Sequence, residues 1–476
     1  MKILFINPPY TNFAGIDESA GHMMPLCFGY LAAYARERIK GIEFKILDAE
    51  ALGCDLKDIR SAVTEFNPHI VAITAPTPAL KFVYQIAEIV KQQNESIHVV
   101  LGGIHPTVMP EQTIKECQAI DFIVVGEGEE TFYRLILALK EESNCFSQIG
   151  GLWYRQAHKI ENTSKRNLIA DLDTIPFPAR DLYDLHLYRS APTKKVSDEN
   201  STPILTHRGC PYNCIHCPSK TIWDQTIRYR STENVLREIE ICIHKYGLQE
   251  FNFFDDTFTI NRQRVVEICE KILDHRLNIY WICFARTNTI DEELVKIMKA
   301  AGCRKISFGF ESGDQHILDL MRKKTTIDMG KKAVQAVKNS KIPVHGSFMI
   351  GNIGETENTI KKTIAYAKSL GLDNATFFIT TPYPGTDLYK VAKGLGSITS
   401  HTPWENFAPL TKASPIPVQN SISKDHLIYW QKRAFREFHL RPEYILKKFR
   451  MLMSIEGIKT LFEGLRIFLR ILKKDS

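Results

Sequence analysis

Short β-rich apolar runs recur through the first 150 residues: Lys2-Ile3-Leu4-Phe5-Ile6, Phe44-Lys45-Ile46-Leu47, Ile70-Val71-Ala72-Ile73-Thr74, His98-Val99-Val100-Leu101 and Phe122-Ile123-Val124-Val125. Each is followed by a loop and a segment with helical spacing. Strand and helix alternating in this way predict a five-stranded, parallel, doubly wound α/β sheet. Ligands on such sheets bind beyond the carboxyl ends of the strands.

Residues 151–200 break the rhythm. Gly151-Leu152-Trp153-Tyr154-Arg155 and Lys159-Ile160-Glu161-Asn162 suit a small hairpin, and the Pro-punctuated Asp173-Thr174-Ile175-Pro176-Phe177-Pro178 suits a connector, so the domain boundary is expected here. Over 201–395 the alternation resumes six times, with strands expected at 203–208, 250–255, 279–285, 305–311, 343–350 and 374–381. Asp291 is expected to cap the helix that follows the third of these. Six βα units predict a partial (β/α)6 barrel with its chemistry at the carboxyl ends of the strands.

The last segment, 396–476, has a different pattern. Ile458, Leu461, Phe462, Leu465, Phe468, Leu469 and Leu472 fall at helical spacing opposite Lys459, Glu463, Arg466, Arg470 and Lys473, predicting an amphipathic basic helix. Residues 441–476 hold nine Lys and Arg against four Asp and Glu, so +5 of the chain's net +7 lies in the last 36 residues. A nearly neutral body argues against a nucleic-acid-binding surface; the tail's charge points to a local use, and its helix either covers the protein's own core or makes peripheral contact with a membrane.

Composition narrows the class further. With 476 residues the chain is expected to divide into two or three domains, and 44% hydrophobic with 24% charged residues is a soluble globular balance. No apolar run approaches a membrane span, and Met1 to Pro8 is too short for a signal peptide, so a cytoplasmic location is expected. Eleven Cys, scattered apart from one triplet, suit a reducing compartment.

The triplet carries the most specific chemistry. Arg208-Gly209-Cys210-Pro211-Tyr212-Asn213-Cys214-Ile215-His216-Cys217 presents three thiols as C-x-x-x-C-x-x-C directly after an apolar run. Three thiolates hold three irons of a cubic 4Fe-4S cluster and leave the fourth open to another ligand. A structural zinc site wants four ligands in two pairs, and no second C-x-x-C occurs in the chain. A disulfide on so tight a loop has poor geometry.

Other loops at predicted strand ends are individually weak signals. Gly102-Gly103-Ile104-His105-Pro106-Thr107 and Gly126-Glu127-Gly128-Glu129 follow the fourth and fifth strands, and no G-x-G-x-x-G follows the first, which disfavours a dinucleotide site. In the second half, Asp255-Asp256, Arg286, Gly309-Phe310-Glu311, Gly351-Asn352 and Thr381-Pro382-Tyr383 end successive strands. Each alone is an ordinary cap or turn. Recurring at consecutive strand ends, they predict a ring.

The cysteine spacing resembles that of the radical S-adenosylmethionine enzymes, and the glycine loops resemble the cobalamin-binding domain that precedes the barrel in one large branch of that superfamily. The resemblance implies a 4Fe-4S cluster on Cys210, Cys214 and Cys217, whose open iron binds S-adenosylmethionine, and an electron donor of flavodoxin or ferredoxin type. It places S-adenosylmethionine near Asp255 or Asp256 (ammonium or ribose), Arg286 (carboxylate), Glu311 (ribose) and Gly351, and a corrin near Gly102, Gly103, Gly126, Glu127 and Gly128. His216 stands where relatives usually have an aromatic residue, and the D-x-H-x-x-G cobalt-ligand motif is absent. Relatives with this pairing are mostly methyltransferases acting on unactivated carbon or on phosphinate phosphorus; the alternative is an oxidative cyclase similar to the anaerobic magnesium-protoporphyrin monomethyl ester cyclase. A sensor without catalysis is disfavoured by the ring of polar residues. A tRNA methylthiotransferase is disfavoured because Cys27, Cys54, Cys117 and Cys145 do not gather at strand ends. A small-molecule or lipid-like substrate is expected.

Overall fold

Strands β1 (Lys2–Asn7), β2 (Glu43–Asp48), β3 (Ile70–Thr74), β4 (His98–Gly102) and β5 (Phe122–Val124) pair in parallel in the order β2-β1-β3-β4-β5. The apolar runs of β1, β3, β4 and β5 are continuous because both faces are covered, whereas the edge strand β2 exposes Glu43 and Lys45. In β3, Ile70 and Ala72 pack with the helices Leu26–Arg38 and Glu129–Lys140, while Val71 and Ile73 pack with Leu56–Phe66 and Leu80–Gln93. The computed structural model describes residues 1–9, 21–143, 145–156, 159–190, 200–408, 415–419 and 422–451.

The connector hairpin, β6 (Leu152–Gln156) with β7 (Lys159–Asn162), does not stand apart. β6 pairs antiparallel with β5, making a seven-stranded sheet. The pairing satisfies the open backbone edge of β5, buries Leu152 and Tyr154 on one face of the sheet and packs the half-buried Trp153 on the other. Farther along the connector, Arg180 is buried against the second domain. It donates to Thr202 Oγ1 at 3.1 Å and to the Pro203 carbonyl at 3.0 Å, and pairs with Glu238 at 2.7 Å.

The second half builds β8 (Ser201–Ile204), β9 (His207–Arg208), β10 (Arg228–Tyr229), β11 (Glu250–Phe253), β12 (Tyr280–Ala285), β13 (Cys303–Glu311), β14 (Val344–Ile350) and β15 (Asn374–Ile379). Six of these form one parallel sheet, β15-β14-β13-β12-β11-β8, as the six βα units predict; β9 and β10 make a separate antiparallel ribbon. The first barrel strand, expected over 203–208, is therefore split. Pairing with β11 stops at Ile204, and Asp255 Oδ1 then accepts the Thr206 and His207 backbone N–H groups at 2.7 and 2.9 Å, turning the chain out of the sheet.

Side chains alternate along the barrel strands. Phe251, Phe253, Trp281, Phe308, Phe348 and Phe377 join the core beneath the outer helices. The intervening Asn252, Phe284, Ser307, Ser347 and Phe378 take the inner face. The Asp291 side chain caps its helix, accepting from Leu294 N at 2.8 Å. The helix Lys424–His439 adds Leu427, Trp430, Phe435 and Phe438 to the barrel core, and Pro442–Met451 follows it. The amphipathic helix expected from Ile458 to Lys473 lies outside the described residues. Among the described residues no helix is long and apolar enough to cross a membrane.

The two domains meet through their strand ends. The helix Ile104–Val108 after β4 contacts Ser219–Trp223 after the cysteine loop, Val108 packs where a Cβ on Gly385 would stand, and Thr221 Oγ1 donates to the Gly385 carbonyl at 2.7 Å.

Candidate active site

The cysteine loop is held from several sides. Gly209 has φ +104°, and a side chain there would run into the Thr226 carbonyl oxygen just before β10, so the residue before Cys210 has to be glycine. Asp255 is buried, with Oδ1 on the Thr206 and His207 backbone and Oδ2 on Thr206 Oγ1 at 3.1 Å. Ile215 donates to the Met321 carbonyl at 3.1 Å, Leu388 N donates to the Ile215 carbonyl at 3.0 Å, and Cys217 N donates to the Cys214 carbonyl at 3.2 Å. Arg286 crosses the loop. Its guanidinium lies 3.6 Å above the Tyr212 ring, donates to Cys214 Sγ at 3.7 Å and also donates to the Lys323 carbonyl.

These contacts divide the ring of expected cofactor residues. Asp255 has both oxygens committed to shaping the loop, whereas its neighbour Asp256 is exposed, receives Ser219 Oγ at 2.6 Å and acts electrostatically on Cys210 and Cys217. Arg286 is packed against the cysteine loop as a buried cation. Glu311 sits on a left-handed backbone (φ +64°) after a register shift in β13, a conformation that costs a non-glycine residue about 1–2 kcal/mol. Burial alone raises its carboxyl, but Lys323, 2.7 Å away, with His216 and Arg286 brings it below the usual range, so Glu311 is ionised. Gly351 N–H donates to Glu355 Oε2 at 2.5 Å, and burial pushes Glu355 up to about 7.

Sequence reasoning missed Lys323 and Tyr212. Lys323 lies between Arg322 and Lys324, both with φ +54°, and no periodicity marks that turn. Tyr212 lies inside the motif, and its signal would have been an aromatic residue paired with a basic one at a strand end.

In the first domain, Gly126 has φ +75° and open space where a side chain would stand, and the nearest atom to a Cβ on Gly102 is the Val124 carbonyl oxygen at 3.9 Å. Ile104 beside them is 48% exposed, so this strand-end shelf is open and partly apolar. Gly103 and Gly128 are close-packed instead, against Thr74 and Leu31. Glu127 is turned away from the shelf. Its carboxylate is fully buried and bonded by Arg228 at 2.5 and 3.0 Å, by Arg208 at 3.2 Å and by Ile169 N at 3.2 Å. It joins the domains, and its backbone carbonyl accepts from Arg166 Nη2 at 2.7 Å. His105 is also inward: its ring meets Trp404 edge-on at 4.6 Å, Nδ1 is 3.1 Å from Thr77 Oγ1, and burial pulls the imidazole down to about 3.

The donor set fits an iron-sulfur cluster. Burial raises the Cys210 thiol and pushes Cys217 up to about 12, with Asp256 and the neighbouring thiols adding to the rise. With Arg286 as the guanidinium beside them, these buried thiols remain short of the positive charge that iron supplies. Among the described residues no three His, Cys, Asp or Glu side chains converge on one ion, and a cubic cluster instead spreads its thiolates over three irons. Asn213 Oδ1 and His216 Nδ1 on the same loop are buried with no partner among the described residues. The open glycine shelf likewise fits a corrin edge, and the inward His105 offers it no nitrogen.

Comparison with known proteins identifies the two domains. The radical SAM superfamily model matches residues 204–386, and the B12 binding domain model matches residues 14–136. An uncharacterized methyltransferase of Pyrococcus horikoshii is 36% identical over 448 residues, covering 94% of each chain. The anaerobic magnesium-protoporphyrin IX monomethyl ester cyclase of Rubrivivax gelatinosus is 30% identical over 477 residues, covering 97% of this chain and 83% of that one. The radical S-adenosylmethionine methyltransferase TsrM from Kitasatospora setae, solved with cobalamin and a 4Fe-4S cluster, has the same fold, with TM-score 0.68 at 18% identity over 89% of this chain and 82% of that one.

The chain belongs to the radical SAM superfamily, in the branch that carries a B12-binding domain. It is an enzyme whose cofactors are a 4Fe-4S cluster, S-adenosylmethionine and cobalamin.

Proposed function

We propose that the enzyme methylates an unactivated carbon of a predominantly apolar small molecule held between its two domains. The observation that carries the reading is the meeting of the two cofactor faces: the Gly126–Glu129 loop is ion-paired to Arg208, two residues before Cys210. The cluster with S-adenosylmethionine supplies a 5'-deoxyadenosyl radical, and cobalamin supplies the methyl group. Cys210, Cys214 and Cys217 hold the cluster, and Arg286 fixes their loop. Asp256, the Glu311–Lys323 pair and the Gly351 turn are assigned to the polar parts of S-adenosylmethionine, with Asp256 accepting from its ammonium group or ribose. Phe254 at the barrel mouth is 43% exposed and meets Phe284 edge-on at 5.7 Å; with Phe378 and Met349 on the inner face it supplies an apolar wall for the substrate.

The 30% identity to a cyclase along nearly the whole chain supports a second reading, oxidative ring formation. A substrate-free experiment separates them. Holoenzyme given a low-potential reductant and methyl-labelled S-adenosylmethionine is expected to carry labelled methyl on its bound corrin and to release an equal amount of S-adenosylhomocysteine. Accumulation of 5'-deoxyadenosine with no labelled corrin would overturn methyl transfer in favour of the cyclase-type reaction.

We also propose that the basic tail reaches an anionic membrane surface, where such a substrate dissolves. Support comes from the tail's sequence pattern and from the exposed Leu440, Ile445 and Leu446 that precede it. Each basic group near such a surface adds about 1 kcal/mol. The full chain is expected to sediment with anionic vesicles at low salt and a chain truncated after Arg441 is not; equal sedimentation of the two would refute this.

A further inference from the structure

Ile215, in the middle of the cysteine loop, is hydrogen-bonded on its outer side to two segments, one through Met321 and the other through Leu388. The residues next to both contacts are charged. Arg322 Nη1 and Lys220 Nζ reach Asp387 Oδ2 at 2.8 and 2.6 Å, and Lys390 stands 3.6 Å from Asp387 Oδ1. Lys324 adds an exposed cation, and the nearby exposed carboxylate Asp319 receives a hydrogen bond from Gln315 at 2.9 Å. Lys323 is turned inward to Glu311 and adds nothing to the outer field.

Four cations against two carboxylates leave an excess of two positive charges directly outside the loop. The arrangement is a poor stabilising device. Exposed pairs contribute little, and one carboxylate shared by three cations leaves repulsion among them. Arg322 and Lys390 keep 49% and 78% of their side-chain surface in solvent, where they are available to a partner. From this rim, one backbone hydrogen bond and one peptide unit lead through Met321 and Ile215 to Cys214.

We propose that this rim is the docking surface for a small acidic one-electron carrier protein that reduces the cluster. The inference rests on the assignment of Cys210, Cys214 and Cys217 as cluster ligands. In the step the carrier is oxidised by one electron and the cluster is reduced by one; no bond breaks and no proton moves. Encounters of this kind bury little surface and are steered by complementary charge, so they weaken as salt rises.

The test uses the full chain, anaerobically reconstituted, with an acidic flavodoxin as probe. Association is followed through flavin fluorescence at about 20 and 200 mM salt, which span most of the range over which exposed charges are screened. R322E/K390E is expected to weaken association at low salt by about tenfold or more and to flatten its salt dependence, whereas K331E/K332E, with the same charge change on the helix Ile327–Asn339, is not. Cluster reduction by reduced flavodoxin should slow in parallel, while dithionite-driven cleavage of S-adenosylmethionine stays at the wild-type rate. If R322E/K390E binds and is reduced by flavodoxin as fast as the wild type, the surface is wrong; if the wild type itself gives no dithionite-driven cleavage, the cluster assignment is wrong. Should the double variant lose iron, K390E alone, at a largely exposed side chain, carries the same two arms.

Discussion

Replacing Cys210, Cys214 and Cys217 together by Ala is expected to take the reconstituted protein from about four irons per chain at this site to background and to abolish reductive cleavage of S-adenosylmethionine. The size of the effect follows from the ligand set. The three thiols supply the protein's attachment to the cluster, and the loop offers only Asn213 Oδ1 and His216 Nδ1 as further unpartnered polar atoms. Folding should survive. The loop is fixed through Asp255, through the Ile215 backbone and through Gly209, none of which the substitution removes. A control variant with Cys269 and Cys303 replaced by Ala, two thiols buried in the barrel core, should keep its iron. Iron and sulfide analysis with the S-adenosylmethionine cleavage assay checks both arms. Wild-type iron content in the triple variant would remove the cluster from this loop.

The elements that could be read in the sequence are those whose cause is local. β1, β3 and β4 announce themselves as apolar runs because they are covered on both faces, and Asp291 announces its helix because a cap acts within three residues. The cysteine triplet is legible for the same reason: its chemistry lies in a spacing. What could not be read depends on partners far along the chain. The break after Ile204 is made by Asp255, 49 residues beyond Thr206, so a run that reads as one strand is two. Asp255 and Arg286, expected with Asp256 at the polar groups of S-adenosylmethionine, also shape the loop, through the backbone N–H groups at 206 and 207 and the sulfur of Cys214, which lie 49, 48 and 72 residues away in the chain. Glycine loops at strand ends signal close approach but not of what: Gly102 and Gly126 face open space, Gly103 and Gly128 face their own domain.

Glu127→Gln is expected to destabilise the chain by about 3–5 kcal/mol and to lower its cluster content, although residue 127 is in the other domain from the cysteines. The wild-type carboxylate is fully buried between Arg228 and Arg208, with Arg166 3.5 Å away, and the amide removes the only charge on that side chain while leaving the guanidinium groups where they are. Glu129, bonded to Arg208 at 2.5 Å, answers Arg208 but leaves Arg228 without a carboxylate partner among the described residues. The loss reaches the cluster because Arg208 is separated from Cys210 by Gly209 alone, and Arg228 is its ribbon partner. The pH dependence gives a second readout. Burial raises the Glu127 carboxyl, but the Arg228 hydrogen bond and the charges of Arg208 and Arg228 outweigh it, so the folded pKa lies below the ordinary 4.5. A depressed folded pKa contributes stability that is present above 4.5 and is lost as the pH falls through the folded value. The urea midpoint of the wild type should therefore drop in that acid range more steeply than that of Glu127→Gln, and the two should converge as the carboxylate protonates. A variant with the wild-type midpoint at neutral pH, or an unchanged gap between the two proteins through the acid range, would show that the ion pairs do not hold the domains together.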